Sequence, residues 1–381
     1  MKSVLSEILK LRGGAPIAVD HTNSNRYRLV VNEKDGSQTA YYFSTPIYNN
    51  QSRKLVDIRF HAEGSNIHAA GSNADITVSA DSILMKNAEG ACTIELGQKP
   101  MYVSEQEVHS GGNVIIPTTN GIAIKCDISG GAFSFVAEAG QPFWKVRVND
   151  RSFAIMKKRF RPYVVFSCIG ALDADGNVTT PAVMEYRRLA GRRYCITVSP
   201  TDTAAKYVLI ECNMYENKLL QDTTVESKNP SVNNAFGSVG FIGNTAEYGE
   251  QWLYSKLDYS KLPEMQDKHI RKAVLHMPML GGKGGISACE VKSRFCSFGS
   301  KWSNKIEGSE FAATAMVNNG YQSGDITALL TDSGTGSLAQ SYGVILKPKA
   351  KGKGFVAVAT GDSYLAPQIL EVNFEKRKYY F

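Results

Sequence analysis

From about residue 25 onward the chain alternates apolar and polar side chains with a period of two. Turn residues cut this alternation roughly every eight to twelve positions, the spacing of a β-sandwich. In an extended strand successive side chains point to opposite faces, so such alternation buries one face and leaves the other in water. The stretch NRYRLVVNEKDGSQTAYYF at 25–43 reads as two strands around Lys34-Asp35-Gly36, because Asp-Gly readily adopts the positive φ of a tight hairpin. LVDIRFHAEG, ADITVSADSILMK, NVIIPTTNGIAIKCDI and AFSFVAEAG continue the pattern, followed by SFAIMKKRF, PYVVFSCIGAL, RRYCITVSP and KYVLIECNMY. The prediction is an all-β protein of two or three β-sandwich or jelly-roll-like domains. No unit of about 20–50 residues recurs, which argues against propellers and solenoids.

The first residues break the pattern. MKSVLSEILKLRGG places Val4, Leu5, Ile8 and Leu9 at helical spacing and ends in Gly13-Gly14, so residues 1–14 are expected to form a short amphipathic helix. Glu7 and Lys10 interrupt its apolar centre, and no small-residue cleavage site follows, so it does not read as a secretion signal. Composition shifts near EAGQP and ENKLLQDTTVESKNPS divide the remainder into 15–140, 141–217 and 218–381. No run of about 18 apolar residues predicts a membrane-spanning helix.

The net charge of +7 comes from 43 basic and 36 acidic residues. KKRFRP at 157–162, RRLAGRR at 187–193 and KPKAKGKG at 347–354 are basic clusters, but no nucleic-acid module accompanies them, and solvated strand edges are the expected reading. Seven cysteines without a CxxC pair read as buried free thiols, with Cys289 and Cys296 the pair close enough in sequence to consider bridging.

The order of features over 219–374 resembles the DNRLRE-type β-sandwich family. DTTVESKNPSVNNAFGS at 222–238 has the family's Asp-Thr strand, Asn-Pro turn and aromatic-Gly. YSKLDYSKLP at 254–263 looks like its LIKFDLSSLP core strand, and Ile270, Ala273, Leu275 and Met277 match the following I-x-x-A-x-L-x-L strand. KWSNK, DITALL, YGVILK, GFVAVAT and PQILEVNF supply the remaining landmarks in order. The string that names the family is absent, and MLGGKGGIS at 279–287 is unusually glycine-rich. The resemblance implies a jelly-roll-like module of the sort attached to carbohydrate-active and surface proteins. It says nothing of residues 1–216.

Chemistry leaves a fainter trace. The six histidines show no metal-ligand spacing, GGKGG lacks the phosphate-loop pattern, and DADGN at 173–177 has Val178 where a calcium loop needs glycine, so it reads as a turn. No catalytic residue, metal site or cofactor is expected, although structural calcium remains compatible. Glu247 and Glu250 beside Trp252, and Asp258 beside Tyr259, are the carboxylates an active site would draw on, and solvated acids at strand ends are the expected reading. The candidate ligand-binding residues are Trp302, Tyr254, Tyr248 and Asn304, with Trp302 expected to be exposed and Trp252 to fill the space between sheets. The expected function is a non-catalytic structural or adhesion protein, such as a phage or phage-tail-like fibre or decoration component. Its partners would be a glycan or cell-surface polymer and other proteins of a particle, and it would be a homo-oligomer in a cytoplasmically assembled particle or at a cell surface. The alternative is a carbohydrate-active enzyme, a polysaccharide lyase or hydrolase, with its catalytic domain in 1–216.

Overall fold

Period-two patterning makes sheets, and sheets are what the computed structural model contains. It describes residues 4–49, 54–97, 101–129, 131–216, 220–257, 268–291, 293–314, 316–318, 320–331, 342–349 and 354–376, an all-β chain opened by a short helix. Two compact units emerge. One comprises Asn49–Asn217 with Phe236–Val239, the other Lys2–Tyr48, Lys218–Ala235 and Gly240–Phe381.

The first unit packs two antiparallel sheets over one core. Eight strands form the first sheet in the order Ala182–Arg188, Arg193–Pro200, Phe133–Ala139, Gly90–Glu95, Ser82–Asn87, Asp75–Val78, Asn66–Ala70, Arg59–Glu63. Gly90–Glu95 and Phe133–Ala139 bury every second residue. Their inward side chains, among them Cys92, Ile94, Phe135 and Ala137, meet Ile115, Ile124, Phe153, Phe166 and Ile210 of the second sheet. Each of the buried Ile and Phe side chains contributes about 1.5–3 kcal/mol by leaving water. The outward positions are polar, as where Ser134 and Thr197 share a 2.8 Å hydroxyl hydrogen bond across strands. The strands on either side of residue 140, Phe133–Ala139 and Lys145–Val148, both belong to this unit. DADGN closes a turn as expected: the Asp173 amide donates to the Asn177 carbonyl at 3.0 Å, and Gly176 takes a φ of 85°.

The second unit is also a sandwich. Arg28–Asn32 and Gln38–Phe43 form the expected hairpin, with Gly36 at a φ of 82°. Gln38–Phe43 then pairs with Ile369–Lys376, joining residues from the two ends of the chain. Ile369–Lys376 pairs in turn with Lys268–Gly282, which carries the landmark residues Ile270, Ala273, Leu275 and Met277 into the core. The facing sheet places Gly249–Leu257 between Leu220–Glu226 and Val344–Pro348, with Ile286–Val291 beyond. Lys268–Gly282 serves both sheets: its first part pairs with Ile369–Lys376 and Tyr321–Asp325, its end with Gly354–Ala359.

Helix Val4–Leu11 forms where expected, and the amides of Gly13 and Gly14 close its C-terminus on the carbonyls of Lys10 and Leu9. Of its apolar residues Ile8 is fully buried, whereas Leu9 faces water. The glycine-rich stretch is a tight connection. Lys283 donates its amide to Phe355 and Gly285 accepts from Lys349, both at 2.9 Å. All seven cysteines are free; Cys289 is buried, Cys296 is exposed, and no bridge joins them.

Candidate functional site

The strand Gly249–Leu257 is covered on both faces, by different material. Leu253 points into the sandwich core, while Trp252 and Tyr254, on the opposite face, join Val225, Cys289, Val291 and Ile345. Phe295, Trp302 and Ile306 pack over this second cluster. Trp252 therefore does not fill the space between the sheets. It lies on the outer face, only 6% exposed, under the segment 295–306.

That segment is fixed by backbone capture. The Asn233 side chain donates to the carbonyls of Ser297 and Ser300 at 2.6 Å each, and the Ser303 amide donates to Pro230 at 2.9 Å. A single 3-10 turn, Trp302–Asn304, follows. The exposed Asn304 braces it, accepting from the Lys301 amide at 2.8 Å and donating to the Gly299 carbonyl at 3.1 Å. Its amide is thus committed to the loop's own backbone.

Trp302, half-buried, meets Trp252 with ring centroids 5.1 Å apart and planes tilted by 56°. Two ammonium groups attend the pair. Lys347 Nζ sits 3.9 Å from the Trp252 ring centre, and Lys305 Nζ lies 5.3 Å from Trp252 and 5.2 Å from Trp302. Both lysines reach Glu307, at 2.8 and 2.9 Å. Burial pushes the Glu307 carboxyl up, but hydrogen bonds from Lys347 and Lys305 outweigh it and leave the group below its ordinary value. Trp252 donates its indole N–H to Glu250 at 2.8 Å.

The predicted residues divide. Trp302 is at the rim, and Asn304 adjoins it as a brace. Tyr254 is buried beneath, its hydroxyl donating to the Ile306 carbonyl at 2.6 Å, and burial pushes that hydroxyl's pKa up. Tyr248 is buried, its amide donating to the Thr245 hydroxyl at 3.1 Å. Sequence reasoning missed Lys305, Lys347 and Glu307. Lys305 stands beside KWSN, but Lys347 comes alongside Trp252 through the pairing of Leu253 with Leu346, which one sequence does not display. Asp258, Tyr259 and Pro263 lie outside the described residues.

The arrangement offers a half-buried indole, against which the C–H groups of a sugar can pack, and ammonium donors held in place by a shared carboxylate. Two other clefts are present, each within one unit. One, of about 320 Å³, is lined by Arg12, Glu33, Tyr41, Lys272, Glu371 and Asn373, and Arg12 already forks onto Glu33 at 2.7 and 2.9 Å. The other, of about 480 Å³, holds His61, Glu63, His68 and Asp75. Among the described residues no three His, Cys, Asp or Glu side chains are placed to hold a metal ion. Comparison with known proteins finds no family model and no curated protein that matches this chain.

Proposed function

We propose that the second unit is a DNRLRE-like, non-catalytic module that binds a glycan on the Trp302 ledge, and that the chain serves as a structural or adhesion protein. The observation that carries this reading is the half-buried Trp302 ring backed by Trp252, with Lys305 and Lys347 tied to Glu307 beside it. A platform supported by a buried ring and fixed charges loses little entropy on binding, which favours grip on a weakly polar sugar face. The landmarks of the family resemblance support the same module: Ile270, Ala273, Leu275 and Met277 share one core with Leu370 and Val372. A role in a virion-like particle, with homo-oligomeric assembly, belongs to the same proposal.

The test is retention of the purified chain on a panel of immobilised cell-wall and plant polysaccharides, with release of reducing ends measured in parallel. Retention without turnover supports the module; turnover on any polymer replaces it with the carbohydrate-active enzyme. Symmetric trimers or lattice-bound copies would support the particle component, and a protein monomeric at all concentrations would contradict it.

A further inference from the structure

The basic cluster KKRFRP becomes, in the first unit, an exposed turn between Ser152–Lys158 and Arg161–Leu172. Lys158 pairs with Arg161, leaving Arg159 and Phe160 as the connection. Among the described residues Phe160 is the non-glycine with positive φ, 60°. A side chain with a β-carbon is strained there, and the ring is 46% exposed, so folding gains little from it in return. Its neighbour Arg159 holds the guanidinium 4.7 Å from the ring centre.

A second ring stands at the same end of this sheet. The Trp144 amide donates to the Met156 carbonyl at 2.9 Å, which sets Trp144 across from Lys157. Trp144 is 52% exposed, with Lys145 Nζ 4.4 Å from its centre. Lys157 and Arg161 converge on Glu89 at 2.9 and 3.1 Å. Lys145, Lys158 and Arg159 form no ion pair with any described residue. Two exposed rings thus stand among five cations, of which Lys157 and Arg161 share Glu89.

We propose that this turn, with Trp144, is a second binding surface, and that it takes an acidic polysaccharide. It belongs to a different unit from the Trp302 ledge and does not depend on it. A polyanion answers the charge. Sugar acids are favoured over single-stranded nucleic acid for two reasons. Their charge sits on the same ring that stacks, so one residue can lie on Trp144 and reach the ammonium beside it, whereas a nucleotide's phosphate is held away from its base by the ribose. Proteins that grip single strands also track the backbone in a positive groove, and here Lys157 through Arg161 form an exposed turn.

The experiment uses the full chain and fluorescently labelled polygalacturonate, heparin and an oligothymidylate, titrated by anisotropy at graded salt. Wild type is expected to bind the two polysaccharides more tightly than the oligonucleotide, with affinity falling as salt rises. Trp144→Ala, and separately the pair Lys158→Gln with Arg159→Gln, should each weaken binding about tenfold. Phe160→Gly should weaken binding too while raising the melting temperature, because glycine accepts this φ without strain. No binding by wild type, tighter binding of the oligonucleotide, or loss only in the charge variants with Trp144→Ala and Phe160→Gly unchanged would each overturn the proposal.

Discussion

Trp252 and Trp302 touch each other yet should answer differently to mutation. Trp252→Ala empties a buried site and should cost about 3–5 kcal/mol in urea unfolding. Trp302→Ala removes a half-buried ring that also covers Trp252, so it should cost clearly less in urea unfolding than Trp252→Ala while weakening glycan retention about tenfold or more. Equal destabilisation by both would mean that Trp302 is only core. Tyr254→Phe deletes the donor to the Ile306 carbonyl and should cost about 1–2 kcal/mol without opening a cavity. Asp35 sets a pH dependence. Hydrogen bonds from the Ser37 hydroxyl and amide, then from Arg271, pull its carboxyl from 3.8 down to about 2. A depressed acid stabilises the fold above its unfolded value and loses that contribution as pH falls through its folded one. The gap in urea midpoint between wild type and Asp35→Asn should therefore be widest above about pH 4 and close towards pH 2, and should narrow with added salt. A gap that persists at pH 2 would contradict this.

At the scale of elements, one glycine bears the junction between strands. Gly282 has a φ of 77°, and a β-carbon there would fall 2.2 Å from the Phe355 carbonyl oxygen. Gly282→Ala should therefore destabilise by about 2 kcal/mol or more, measured by chemical unfolding; a neutral result would mean that Lys268–Gly282 need not hold its pairing with Gly354–Ala359. Strands with one wet face were legible from the sequence, because Gly90–Glu95 and Phe133–Ala139 must alternate to keep polar groups in water. Arg161–Leu172 is buried at every position after its first residue, and there alternation carries no message. Pairing was the other silent quantity. Gln38–Phe43 meets Ile369–Lys376 across most of the chain's length, and composition shifts do not reveal such long-range partners. The candidate site was half legible for the same reason: Trp302 and Asn304 are marked by their own chemistry, whereas Lys347 arrives through strand pairing.

Across the whole molecule, stability rests on packing, with every cysteine free. Burial pushes the Cys92 and Cys168 thiols up to about 12, and Cys126 and Cys212 also well above their ordinary value, so these four stay protonated and unreactive near neutral pH. A thiol reagent added to the native protein should modify Cys296 first and these four only after unfolding, and reductant should leave the melting temperature unchanged. Fast native modification of Cys126 or Cys212 would show that their surroundings are open. The most direct test of glycan binding is a calorimetric titration of the full chain with the polysaccharide that retains it, repeated with Trp302→Ala. The predicted result is saturable binding by wild type, no release of reducing ends, and about tenfold or greater loss in the variant under conditions where urea unfolding shows it fully folded. Binding that Trp302→Ala leaves intact, or cleavage of the polymer, would contradict it.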